Sequence, residues 1–168
     1  LIKERGIPSA LIDSEIDRGG IYGTHPLDPE TKKPYRGLYN CVFIGPSSAE
    51  IRSTEKNGFK GCCEGSDTDS SGYRVPNVPN QEKLFAMTEA AIDALSYRAL
   101  YPGRFTLSTN GSGRFILMYK ATIEALDAGF GVRLAQDADG AGDVSAQKIF
   151  NALYLRQTLS KKCNVEPE

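Results

Sequence analysis

The order of apolar and polar positions divides the chain into two stretches of different rhythm. From Leu1 to Asn80, short β-prone pieces alternate with clusters of Gly, Pro, Ser, Asp and Asn. Pro8 to Arg18 stands apart. A proline in its first turn, Leu11, Ile12 and Ile16 on one face, and Gly19-Gly20 behind it predict a short helix. Ile21-Tyr22, Leu38 to Ile44, Ala49 to Arg52, Phe59 to Cys63 and Gly72 to Val75 read as strands. Between them lie a turn-rich stretch from Thr24 to Gly37 and a surface loop from Glu64 to Gly72. Arg74-Val75-Pro76-Asn77-Val78-Pro79-Asn80 has the proline spacing of a linker.

After Asn80 the period lengthens. Lys83 to Met87, Phe105 to Ser108 and Gly131 to Ala135 are short apolar runs that predict strands. Helical patterns separate and follow them. Ala90 to Tyr101 has Ile92, Leu95, Ala99 and Leu100 near one face and stops at Pro102-Gly103. Phe115 to Leu126 is closed by Gly129, and Asp143 to Leu159 has Val144, Ile149, Phe150 and Leu153 as its buried side. Strand and helix alternating three times predict βαβ units, a parallel sheet and helices on both faces. The expected fold class is therefore α/β, preceded by a small, mostly β (α+β) subdomain, with residues 1–79 as one unit and 80–168 as the other.

Composition narrows the function. The chain has 168 residues, 40% hydrophobic and 24% charged, which is ordinary for a soluble globular protein and argues against disorder. Its net charge of −1 provides no global basic field for nucleic acid, so any such surface must be local. No apolar run is long enough to span a bilayer and no signal-peptide pattern opens the chain, so the expectation is a cytoplasmic protein with no membrane partner. Cys41, Cys62, Cys63 and Cys163 form no C-x-x-C pair and His25 is the only histidine, which argues against zinc and for reduced thiols. The chain opens at Leu1 and closes on Val165-Glu166-Pro167-Glu168, and reads as an excised part of a longer protein.

In a parallel sheet, functional groups collect beyond the carboxyl ends of the strands. Two of the three expected strand ends are acidic: Thr88-Glu89 after the first, and Asp137-Ala138-Asp139 after the third. The second ends in the polar, flexible Thr109-Asn110-Gly111-Ser112-Gly113. Carboxylates brought together are unfavourable unless a cation or a proton intervenes. Oxygen-only ligands suit Mg²⁺ or Mn²⁺, which leave room for phosphate oxygens. Other readings stay open: Glu89 as a charge at a helix N-terminus, Asp93 as a solvated residue one turn on, Asp137-Ala138-Asp139 as a turn and helix cap, and Asp143 as an N-cap. An EF-hand register fails, because Ala141 and Lys148 fall at the fifth and twelfth positions. Asn110-Gly111-Ser112-Gly113-Arg114 lacks the third glycine of a dinucleotide loop, where Ile116 stands.

Together the two acidic motifs resemble the Toprim domain shared by bacterial primases, topoisomerases and some nucleases. Its post-strand glutamate is matched by Glu89-Ala90-Ala91-Ile92-Asp93, and its Asp-x-Asp-x-x-Gly motif by Asp137-Ala138-Asp139-Gly140-Ala141-Gly142. The likeness covers about residues 80 to 160 and is nearest to primase-type members. Leu1-Ile2-Lys3-Glu4-Arg5-Gly6-Ile7 and the β segments from Val42-Phe43 resemble the opening of a primase catalytic core. The whole also resembles Toprim-containing proteins of plasmids and conjugative elements.

The resemblance implies Glu89, Asp137 and Asp139 as catalytic residues and Glu89, Asp93, Asp137 and Asp139 as ligands of Mg²⁺ or Mn²⁺. It implies single-stranded DNA or RNA template and nucleoside triphosphates as partners, with a helicase or relaxase of the same element. Arg52, Lys60, Arg74 and Arg114 are the residues expected to face phosphates. The implied activity is primase-like nucleotidyl transfer in plasmid or mobile-element replication or transfer. Strand cleavage of the nuclease or topoisomerase kind and a non-catalytic nucleic-acid-binding module are the alternatives. Three departures are visible: Ala90 in place of the usual glycine, the expected truncation before the last strand of the fold, and the lack of a zinc-binding module.

Overall fold

Two four-stranded sheets form the framework, and one helix is packed between their cores. The computed structural model describes residues 1–35, 38–55, 57–76 and 82–163. Helices α1 (Ile2–Arg5) and α2 (Ser9–Asp17) lead into an antiparallel meander of β1 (Ile21–Thr24), β2 (Asn40–Ile44), β3 (Ala49–Ser53) and β4 (Lys60–Cys62). The turn-rich connection from β1 to β2 is organised by Asp28, whose Oδ1 accepts from the amides of Glu30 and Thr31. The expected surface loop after β4 is pinned at its far end. Ser71 is buried, and its hydroxyl oxygen accepts from the Ser47 amide and the Ser48 hydroxyl.

The second sheet contains β5 (Arg74–Val75), β6 (Leu84–Thr88), β7 (Phe105–Ser108) and β8 (Gly131–Ala135) in the order β5-β7-β6-β8. Helices α3 (Ala91–Leu100), α4 (Phe115–Asp127) and α5 (Gly140–Cys163) follow β6, β7 and β8. β6 runs parallel to both β7 and β8, as the βαβ rhythm requires, whereas β5 is antiparallel to β7. The sheet is thus mixed. Arg74 and Val75, expected both to end a short strand and to open a linker, form its edge strand, because Val75 is buried and has a core to join. Residues 77–80 of that expected linker lie outside the described residues.

Side-chain alternation separates the two faces of this sheet. Phe85, Met87 and Leu107 point to one side and meet Leu117, Met118 and Ala121 of α4 and Ile149 of α5. On the other side, the Thr106 hydroxyl donates to the Ala94 carbonyl of α3 at 3.3 Å. There Val75, Ala91, Ala94 and Leu95 share a core with Ile7, Ile12, Ile21, Phe43 and Tyr73. Two alanines on the inner face of α3 let its backbone come close to the second sheet. Buried Glu15 of α2 accepts from the Tyr73 hydroxyl and from Arg18, and Arg18 donates onward to the Arg74 carbonyl at 2.7 Å. Burial, then the Glu15 carboxylate, pushes the Tyr73 hydroxyl's pKa well up, so it remains a donor.

Three expected helix faces differ from the structure. On α2, Ile12 is buried with Glu15, but Ile16 is 51% exposed. The buried side of α3 is Ala91, Ala94, Leu95 and Arg98, and Leu100 is 74% exposed. On α5, Ile149 is buried and Leu153 packs beside it, but Phe150 is 65% and Val144 53% exposed. Only the row one turn apart reaches the core, and the residue after Ile149 points about 100° away from it. No helix among the described residues is long and apolar enough to cross a membrane.

Candidate metal and phosphate site

The topology creates a crevice before any side chain is considered. The chain steps from β6 to β7 in one direction and from β7 back past β6 to β8 in the other. Right-handed crossovers then place α3 and α4 on opposite faces, and the strand ends at the reversal are left open. Thr88 is the register partner of both Ser108 and Ala135, so all three parallel strands end at one level. The loops leaving these strands therefore lie along a single edge.

Glu89 comes directly after β6. Its backbone carbonyl accepts from the Gly111 amide of the loop after β7 at 2.8 Å. Its side chain has a buried oxygen, Oε2, with no hydrogen-bond partner. The Glu89 carboxyl is pushed above its ordinary 4.5 by burial first and then by Asp137 and Asp139, with Asp93 adding to the effect and the Ser112 amide opposing it. Asp93, one turn into α3, is raised by burial and by Asp137, and opposed by Arg5 and Arg52. The structure therefore brings Asp93, Asp137 and Asp139 within electrostatic reach of Glu89, and Asp137 within reach of Asp93.

Local bonds fix the loop that carries the two aspartates. Gln136 Nε2 donates to the Met87 carbonyl at 3.2 Å and anchors the loop to β6. Asp139 Oδ1 accepts from the amides of Ala141 and Gly142 at 3.0 and 2.8 Å, which caps α5. The cap is thus Asp139 rather than Asp143, which sits inside the first turn. Both Asp137 and Asp139 are exposed, and capping occupies only one oxygen of Asp139. At Gly142 an added Cβ would lie 2.0 Å from the Asp137 carbonyl oxygen, so glycine is what allows the helix to begin against the loop. The Ser145 hydroxyl donates to the Ser112 carbonyl and joins α5 to the loop after β7.

The four expected basic residues are distributed unequally. Arg52 Nε donates to Glu50 at 2.7 Å, and its charge is felt at Asp93. Lys60 is its exposed register partner on β4, and Arg114 acts on Cys62 at the end of that strand. Arg74, on the edge strand β5, instead lines a mostly apolar slot with Phe85, Phe105, Ala121, Glu124 and Phe130. Arg5, which acts on Asp93, was not singled out from the sequence. Neither was Glu50, although both stand in short motifs that the sequence displays.

Among the described residues, no group of three or more His, Cys, Asp or Glu side chains is placed so that it could hold a metal ion. The donor set nevertheless suits Mg²⁺, which keeps several waters and needs only one or two direct carboxylates. The unpartnered Glu89 Oε2 is the atom such an ion would satisfy.

The electrostatic cost can be measured. A carboxylate whose folded pKa is raised destabilises the protein at pH values above its unfolded pKa. For Asp93 the penalty is absent below its ordinary 3.8, grows as pH rises through the interval up to the folded value, and is complete above it. Asp93→Asn is therefore expected to raise the metal-free Tm at pH 7, to lose that advantage in acid, and to gain less from Mg²⁺ than wild type. Thermal melts with and without Mg²⁺ across this pH range check all three.

With this geometry in hand, residues 86–167 match the Toprim-like family model. The second half of the chain is a Toprim-like domain, a type of domain found in nucleic-acid enzymes. Among solved structures, the primase fragment of the bacteriophage T7 primase-helicase protein is similar in fold, with a TM-score of 0.56 and 19% sequence identity. The match covers 86% of this chain and 57% of that fragment, so this chain spans little more than half of its length. No curated protein sequence matches.

Proposed function

We propose that this chain is the catalytic part of a primase-like nucleotidyltransferase that acts with Mg²⁺ or Mn²⁺ on nucleoside triphosphates and a single-stranded DNA or RNA template. The observation that carries the reading is a buried, unpartnered oxygen on Glu89, a carboxyl that feels the acids delivered by a neighbouring strand end. Glu89, Asp93, Asp137 and Asp139 would hold the ion. When bound, it would neutralise the acids and polarise phosphate oxygens. Without the ion Glu89 is raised in pKa by its surroundings, so with the ion bound it would give up a proton and stand as a carboxylate able to accept one from the substrate hydroxyl. Asp139 fixes the start of α5 while presenting its second oxygen to the crevice. Arg52, Lys60 and Arg114 would steer phosphates from the first sheet and the loop before α4.

In this reading residues 1–79 form the α+β subdomain that supplies basic groups, and residues 80–168 form the catalytic Toprim unit. The setting is replication or transfer of a plasmid or mobile element in the cytoplasm. Support for a helicase partner comes from the matched fragment, which belongs to a bacteriophage primase-helicase protein.

The discriminating assay supplies labelled nucleoside triphosphates, single-stranded template and Mn²⁺ or Mg²⁺ to the protein, beside a parallel incubation with supercoiled DNA. Template-dependent oligonucleotides that disappear with EDTA are expected. Nicking without synthesis would replace this reading with the nuclease, and neither activity with intact DNA binding would replace it with a binding module.

A further inference from the structure

We infer that Glu50, on β3 of the first sheet, is a positioning residue that caps α3 from outside and thereby sets the placement of Glu89. Glu50 is 2% exposed, and a buried carboxylate is costly unless donors satisfy it. Three do. Arg52 Nε donates to Oε1 at 2.7 Å, while the Ala91 amide and the Ser108 hydroxyl donate to Oε2 at 3.0 and 2.9 Å.

The identity of these donors gives the bond set its meaning. The Ala91 amide is the first of α3, and the residue at its N-cap is Ala90, which has no side-chain acceptor. A helix start needs such an acceptor and prefers an anion there. Glu50 supplies both across 41 positions of sequence. On the other side, the Ser108 hydroxyl oxygen accepts from the Asn110 amide at 3.2 Å. That bond opens the loop whose Gly111 amide holds the Glu89 carbonyl and whose Ser112 amide acts on the Glu89 carboxylate.

Glu50 therefore grips the chain on both sides of Glu89: two residues after it on α3, and across from it at the end of β7. Through Oε1 it also holds Arg52, which with Arg5 is felt at Asp93. One carboxylate of the first sheet thus registers that sheet's basic group and the second sheet's acid against each other.

The catalytic side of this inference rests on the metal-site reading above; the structural side does not. The test is Glu50→Gln, which keeps the shape but replaces one accepting oxygen with an NH₂ group. Partners that orient metal ligands typically cost 10–100-fold when removed, so Mn²⁺ binding followed by electron paramagnetic resonance is expected to weaken by about tenfold. Amide hydrogen exchange is expected to accelerate at Ala91, Ile92 and Asn110 to Ser112, with β1, β2 and β6 unchanged. Wild-type exchange at those sites would overturn the proposal, and so would a uniform rise through both sheets, which marks a general stability residue.

Where Glu50→Gln does not fold, Ser108→Ala cuts the branch at the end of β7, removing its tie to Glu50 together with the acceptor for the Asn110 amide. It must show the same local pattern at Asn110 to Ser112, or the proposal fails. Glu89→Gln is titrated in parallel. If it leaves Mn²⁺ binding intact, the metal reading is lost, and the exchange pattern alone then decides whether Glu50 holds the Glu89 loop.

Discussion

Combining Glu89→Gln with Asp137→Asn is expected to weaken Mn²⁺ binding by about 100-fold or more, since orienting partners alone reach that scale. Metal-dependent turnover is expected to fall in step. The two residues come from different strand ends, and Asp137 raises the proton affinity of Glu89, which a cation between them would reverse. Neither substitution removes a packed apolar group, because Asp137 is exposed and Glu89 only half-buried. The variant should keep its fold and, with two charges gone, a metal-free Tm at or above the wild-type value at neutral pH. Mn²⁺ titration and a melt on the same sample separate the outcomes. Unchanged affinity would remove the shared site, while lost affinity with a collapsed melt would point to misfolding.

Gly142→Ala is expected to destabilise the protein by about 3 kcal/mol, the upper end of the cost of overpacking, because the atom in the way is backbone. The added Cβ would lie 2.0 Å from the Asp137 carbonyl oxygen and 3.3 Å from the Gln136 Cβ. Relief requires α5 or the aspartate loop to shift, so Mn²⁺ affinity should drop together with Tm. Gly140→Ala is the matched comparison. It lies on the same helix with nothing within 4 Å of the added atom. Since alanine is favoured over glycine in a helix by about 1 kcal/mol, that variant should be neutral or stabilised. Denaturant unfolding of the pair gives the difference directly, and equal stabilities would show that the start of α5 has room to yield.

The second half of the chain could be read from its sequence because its elements are local. Strands and helices of βαβ units differ in period, and the acids that matter lie within one or two residues of a strand end. The features that escaped the sequence depend on distance along the chain. Gly72 to Val75 is legible as a β piece, but nothing near it shows that β5 leaves the first sheet and pairs antiparallel with β7. Glu50 sat in a correctly expected β segment, but nothing nearby shows that its carboxylate meets an amide 41 positions later. The apolar periodicity of α5 offered several faces. The structure uses the one through Ile149 and leaves Phe150 outside, a choice made by α4 and the sheet rather than by the helix. The cap of α5 shifted from Asp143 to Asp139 because two aspartates in one turn region can each serve, and loop geometry decides between them.

Helix α3 bears on how this protein can be recombined. Its Ala91, Ala94 and Leu95 close the core that also contains Ile7, Ile12, Ile21 and Phe43, so the helix is a party wall between neighbours rather than an outer layer of one of them. A chimera cut near Pro76 would keep the wall and replace everything built against one side of it. The incoming sheet would meet a surface shaped by two alanines. A larger residue there would collide, and a smaller counterpart opposite would leave a void. The natural seam for exchanging the basic sheet is therefore a discontinuous one. It carries the inner positions of α3 along with residues 1–75, and the carboxylate at position 50 with the helix start that it caps.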